Sequence, residues 1–305
     1  MLGAELERYH LHPLPHAAEV IGGERAVARK YGTSELDMSA GADFPRPNES
    51  SRLADGRLAQ ATIAQWHDVR LRATHGILIA LDMESLDQMR KVVEQTSDIP
   101  GIVGYKVGLT VTLRLGLGGA VRHLRASTDL PLIYDHQKAG PDVPDMAPKF
   151  CATCKEARVD GLILFPLAGP RAVAAFAGSA YRNRLLPIVG GDLPFPDYNA
   201  TGGGYVIDDA LDKIFRKAIE IGVDHFVIPG NTPDKVRHHA RWLVEQVERP
   251  SLFVPGIGAL GGSIADAFAA APGCNVYAVV GRAIYDAGDP AQAARRLAEE
   301  ARRFG

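Results

Sequence analysis

From Gly76 to the C-terminus, short apolar runs alternate with segments of helical periodicity. The runs are Ile77 to Leu81, Ile102 to Val107, Leu130 to Tyr134, Leu162 to Phe165, Leu185 to Val189, His225 to Ile228, Leu252 to Val254 and Val276 to Val280. A run that is apolar on consecutive positions predicts a strand buried on both faces, the signature of a parallel sheet covered by helices. Eight such units in residues 76–305 fit a closed (β/α)8 barrel, whose active site must lie on loops at the C-terminal ends of the strands. A doubly wound open sheet is the main structural alternative. It requires a glycine-rich phosphate turn after the first strand, and Leu81, Asp82, Met83 and Glu84 supply none.

Residues 1–75 lack this rhythm. They contain a polar, proline-bearing stretch at 41–51 and a helix expected over Arg57 to Leu71, so they read as an N-terminal extension, partly irregular, attached to a barrel domain of residues 76–305. The formal net charge of −2 leaves no electrostatic footprint for nucleic acid or an anionic membrane, so an anionic ligand has to be held by local groups. Three cysteines, an odd number, argue against a disulfide framework and for a reducing compartment. Cys151 and Cys154 have CxxC spacing, but they fall in the helix expected after the third strand and read as two small residues packed on one face. No metal is assigned. The N-terminus lacks a basic segment followed by an apolar one, and no apolar stretch approaches the roughly 18 residues of a membrane span. A cytoplasmic protein is expected.

The strand ends carry the chemistry. The first ends in Asp82. The second holds Lys106 between Gly104 and Gly108, where a lysine is costly unless it pairs with carboxylates. The third delivers Asp135, Lys138 and Asp142, an alternating acid and base array with shifted proton affinities. The fifth runs into Gly190, Gly191 and Asp192, followed by a Pro- and Gly-rich segment, 193–204, that suits a loop over the barrel mouth. The seventh leads into Pro255, Gly256, Gly258, Gly261 and Gly262, and the eighth into Gly281 and Arg282. Glycine-rich loops after strands seven and eight are where phosphate binds in many barrels, because backbone N–H groups and helix dipoles converge there. Arg282 would add a bidentate clamp. A phosphorylated small molecule is therefore expected across the mouth, with its phosphate at Gly261, Gly262, Gly281 and Arg282 and its reacting carbon facing Lys138.

In order, Leu81 and Asp82, the Lys106 to Gly108 element, the Asp/Lys/Asp cluster, the Pro255 to Gly262 loop and the Val280 to Tyr285 segment resemble the orotidine 5'-phosphate decarboxylase family across residues 76–305. The resemblance implies loss of CO2 from orotidine monophosphate with no metal or organic cofactor, a step in pyrimidine biosynthesis. It implies that Lys138 protonates C6 of the pyrimidine, that Asp135 opposes the leaving carboxylate and that Lys106 bridges the carboxylates and a ribose hydroxyl. Asp82 would bind ribose, and Asp142 would reach into a neighbouring subunit's site, making a homodimer with shared active sites. Three departures accompany the match. The family spacing D-x-K-x-x-D is lengthened by one residue on each side of Lys138, so either Asp135 or His136 takes the first acidic position. Leu260 stands where glutamine is common, and Asp192 lies where a base-reading Ser or Thr is usual. The competing functions are a Mg-dependent sugar-phosphate decarboxylase or aldolase on the same barrel, which usually carries Glu where Lys106 stands, and a non-catalytic nucleotide-phosphate-binding barrel.

Overall fold

The computed structural model describes residues 71, 73–136, 142–258 and 261–305. Residues 1–70, with most of the expected extension and its helix, lie outside the described residues, as do Lys138 and Leu260.

Each of the eight apolar runs is a strand, and they close in sequence order into a parallel barrel. The strands are β1 (His75–Leu81), β2 (Ile102–Val107), β3 (Leu132–Asp135), β4 (Gly161–Leu164), β5 (Leu186–Val189), β6 (His225–Val227), β7 (Ser251–Pro255) and β8 (Asn275–Val280). Closure is made by β1 against β8, with Ile79 opposite Val280. The third strand starts two residues later than its apolar run, because Pro131 has no N–H to give the ladder. Its carbonyl still accepts the Tyr105 N–H at 2.9 Å.

Around the barrel run α1 (Leu86–Thr96), α2 (Leu109–Leu115), α3 (Leu117–Arg125), α4 (Ala147–Glu156), α5 (Pro170–Arg182), α6 (Ala210–Ile219), α7 (Pro233–Gln246), α8 (Ile264–Ala269), α9 (Arg282–Tyr285) and α10 (Pro290–Arg302). Their starts are written in the sequence. The Ser85 hydroxyl accepts the Gln88 N–H at the head of α1, and Asp289 accepts the Gln292 N–H at the head of α10, just before Pro290 at the first helical position. Cys151 and Cys154 share the buried face of α4, and burial pushes both thiols up to about 12. Among the described residues, no helix is long and apolar enough to cross a membrane.

Two apolar layers result from the period-2 alternation of a strand. In β1, Ile77, Ile79 and Leu81 face the helices, whereas Leu78 and Ala80 join Ile133, Ile188, Phe253 and Tyr277 inside the barrel. The same alternation positions the site. Continued past the strand ends, the inward series runs from Ala80 to Asp82, from Ile133 to Asp135, from Ile188 through Gly190 to Asp192, from Phe253 to Pro255 and from Val279 to Gly281.

Candidate active site

These inward residues line a cavity of about 390 Å³ at the C-terminal mouth of the barrel, a size suited to one small ligand. Its floor is apolar, formed by Ile163, Phe165, Val227, Phe253 and Val279, and its charged wall comes from the ends of β1, β2 and β3.

Lys106 is the centre of that wall. Its ammonium donates to Asp82 Oδ1 and Oδ2 at 2.8 and 3.1 Å and lies 2.9 Å from Asp135 Oδ2. Burial alone would lower the lysine's proton affinity, but the Asp135 and Asp82 carboxylates outweigh it and hold the pKa above the ordinary value. Lys106 is therefore charged at neutral pH. Asp135 is buried, and among the described residues its second oxygen, Oδ1, has no hydrogen-bond partner. A buried acceptor left in this state is costly. Gly108 makes the trio possible, since a Cβ there would stand 2.2 Å from Asp82 Oδ1.

Asp135 meets Lys106, while His136 turns the other way, with Nδ1 2.6 Å from the Tyr134 hydroxyl and its ring against Phe150. Lys138 lies outside the described residues. Asp142 is exposed and accepts the Val143 N–H at 2.7 Å; it does not join the Lys106 trio.

At the other end of the charged wall stand Pro255, Gly256, Gly281 and Arg282, with Tyr285 beside them. Burial raises the Tyr285 phenol's pKa, and the nearby Asp82 carboxylate adds to the effect. Gly256, Gly258 and Gly261 all have positive φ, which only glycine adopts cheaply. The expected role of Gly258, Gly261 and Gly262 as N–H donors meets a local competitor. Gly258 donates to the Gly262 carbonyl, Gly261 to Gly258 and Gly262 to Gly256, so these groups hold the loop in shape. The start of α9 is different. Ile284 and Tyr285 N–H groups bond Gly281 O, whereas helix geometry gives the N–H groups of Arg282 and Ala283 no carbonyl within the helix.

Asp192 closes the cavity on the β5 side. It is 4% exposed, accepts the Leu193 N–H at 3.0 Å and forms an ion pair with Lys235 of α7. Lys235 and Gly108 were not evident as site-forming residues from the sequence. Lys235 has no local signal beyond a lysine in the first turn of a helix, and the need for Gly108 becomes visible only when Asp82 is opposite it.

Fold and site together define a (β/α)8 barrel with an enzyme-like pocket at its C-terminal mouth, built around a lysine clamped between two carboxylates. Residues 76–297 match the model of the Orotidine 5'-phosphate decarboxylase / HUMPS family, and the chain belongs to that family. Among curated relatives, a Pyrococcus abyssi protein named orotidine 5'-phosphate decarboxylase is 30% identical over 226 residues, covering 74% of this chain and 99% of the relative. A protein of the same name from Methanosarcina acetivorans is 29% identical over 224 residues, covering 73% of this chain and 93% of its own length. Solved structures agree. The orotidine 5'-monophosphate decarboxylase of Methanocaldococcus jannaschii, in complex with the inhibitor BMP, aligns with a TM-score of 0.64 at 25% identity, covering 74% of this chain and 98% of the other. The Pyrococcus horikoshii OT3 enzyme gives 0.61 at 26% identity, with 74% and 99% covered. The family expected from the ordered motifs is the family found.

Proposed function

We propose that this chain is an orotidine 5'-phosphate decarboxylase, converting orotidine monophosphate to uridine monophosphate and CO2 in pyrimidine biosynthesis. The observation that carries the reading is Lys106 held between Asp82 and Asp135 in the cavity wall. An ammonium at this point disfavours a second cation, which argues against the Mg-dependent sugar-phosphate branch of the superfamily.

In this reading the substrate phosphate lies at Gly281, Arg282 and the Pro255 to Gly262 loop, and Asp82 and Lys106 hold the ribose. Contacts so far from the reacting carbon supply the binding energy that fixes the ring against Asp135. There the substrate carboxylate meets a buried carboxylate whose Oδ1 lacks a partner among the described residues, and their repulsion is relieved as CO2 departs. The C6–carboxylate bond breaks, its electron pair stays on C6, and Lys138 transfers an ammonium proton to that carbon. The cationic Lys138 also stabilises the charge as it develops. No metal or organic cofactor takes part in this sequence of steps.

The exposed Asp142 fits a residue that completes a neighbouring subunit's site, so the working form is a homodimer. Three free, buried cysteines fit a reducing, cytoplasmic setting. The test is loss of orotidine monophosphate absorbance on mixing with purified, metal-stripped protein. Turnover that requires an added divalent cation, or nucleotide binding without decarboxylation, would refute the assignment.

A further inference from the structure

Outside the cavity, α6 and α7 bring together one carboxylate and two imidazoles. Asp212 stands in the first turn of α6, and the adjacent His238 and His239 lie in the middle of α7. One ligand atom from each of the three falls within 4.8 Å of the other two. His239 is 6% exposed, and among the described residues its buried Nδ1 has no hydrogen-bond partner. That nitrogen lies 3.3 Å from Asp212 Oδ1, and the Phe215 ring packs edge-on against the imidazole, with centroids 5.6 Å apart. Burial lowers the His239 pKa to about 4, with the Asp212 carboxylate offsetting only part of the effect, so the ring is neutral at physiological pH and has a lone pair to give.

A buried ring nitrogen left without a hydrogen bond is costly, and a cation held between it and the facing carboxylate removes the cost. Ligand atoms about 2.0–2.2 Å from a tetrahedral zinc ion stand about 3.4 Å from one another, and the Nδ1 to Oδ1 separation already matches. The cationic side chains of the two helices are engaged elsewhere. Lys213 pairs with Asp209, Lys235 with Asp192 and Arg237 with Asp234, while Arg216 lies over the Trp242 ring. Among the described residues no lysine or arginine pairs with Asp212, whose side chain is 40% exposed. His238 is exposed and free to turn a ring nitrogen inward. We propose that Asp212, His238 and His239 form a three-ligand site for a zinc-type divalent ion, with its fourth position open to water, since two imidazoles and a carboxylate are a suitable donor set for such an ion. The ion ties α6 to α7, joining two consecutive β/α units from outside the barrel. The site is separate from the pocket, does not depend on the decarboxylase reading and takes no part in the chemistry at Lys106.

The test is calorimetric titration of the full-length, metal-stripped protein with Zn2+ alone, for the wild type, Asp212→Asn and His238→Ala, with thermal melts alongside and Co2+ as a spectroscopic substitute. Both substitutions fall on side chains open to water, so folding should survive, and melts of the stripped proteins verify it. The wild type should take up one equivalent of Zn2+, gain melting temperature as free ion is added, and give with Co2+ the intense visible bands of a four-coordinate site. Each variant should bind at least about 100-fold more weakly, because losing a ligand costs more than the 10–100-fold typical of losing a ligand's supporting hydrogen bond, and should lose the melting shift. His239 is too buried to replace safely, so its part is read from the Nδ1 resonance of 15N-labelled protein, which should move as Zn2+ is added. A wild type that takes up no Zn2+ overturns the proposal. So does either variant binding with wild-type affinity, or a His239 Nδ1 resonance that stays in place. Turnover of orotidine monophosphate by the stripped wild type bears on the decarboxylase reading alone, so the two can fail separately.

Discussion

Replacing Gly108 by alanine should injure the site while sparing the fold. The backbone there is extended, with φ −88° and ψ 176°, a conformation alanine adopts without strain. The obstacle is the Asp82 carboxylate, whose Oδ1 would lie 2.2 Å from the new methyl, against 3.4 Å or more for an ordinary contact. Asp82 must therefore retreat by more than 1 Å. Its side chain is 44% exposed and free to swing toward water, so the clash is relieved by rotation and not by moving backbone. What is lost is the pair of bonds to Lys106 at 2.8 and 3.1 Å. A charged hydrogen bond contributes about 1.5–3 kcal/mol, and partial exposure of Asp82 argues for the low end. The expected cost is thus about tenfold in kcat/KM for orotidine monophosphate, with a melting temperature close to wild type. Gly104→Ala is the contrasting control. Its Cβ would meet the Pro131 carbonyl at 2.6 Å, a backbone atom beside the neighbouring strand that cannot swing aside, and overpacking of this kind costs about 1–3 kcal/mol of stability. A Gly108→Ala enzyme with wild-type kcat/KM, or one that unfolds as readily as Gly104→Ala, would refute the reasoning.

Lys138→Ala should abolish decarboxylation while leaving nucleotide monophosphate binding measurable by calorimetry; an unchanged kcat would remove Lys138 from the mechanism. Arg282→Ala should chiefly weaken binding of phosphorylated substrate and analogues, with little effect on affinity for the unphosphorylated nucleoside. Lys106→Met strands the buried Asp135 carboxylate and should destabilise the protein by about 3–5 kcal/mol in denaturant titrations, whereas adding Asp135→Asn should recover much of that loss. In alkali, the buried thiols of Cys151, Cys154 and Cys274, each pushed up to about 12 from 9.0, bind protons more tightly in the folded state than in the unfolded one. Their contribution is complete below about pH 9 and is lost as the pH rises toward the folded values, so the stability of a triple alanine variant should decline less steeply above pH 9 than that of the wild type.

The barrel was legible because buried parallel strands leave uninterrupted apolar runs, and all eight were read within about two residues of their ends. Lys106 and Asp135 were legible as well, for a lysine in a β-strand core demands carboxylates and only the inward face could supply them. The hydrogen-bond state of the Gly258 to Gly262 loop was not. Whether a glycine N–H points outward or closes on its own turn depends on the signs of successive φ angles, which composition does not encode. Lys235 was invisible for another reason. Its partner, Asp192, lies 43 residues earlier, and the contact exists only because consecutive β/α units are neighbours in a closed ring.

The ladder that closes β1 on β8 also determines where this chain can change length. Within a strand, one added residue would turn every following side chain from the lumen to the helical shell, and Asp82, Lys106 or Asp135 would leave the pocket altogether. Asp135 is the last residue of β3, so a residue added after it leaves the register of that strand untouched. The barrel thus acts as a ruler with fixed graduations, along which spacing can drift only past the strand ends.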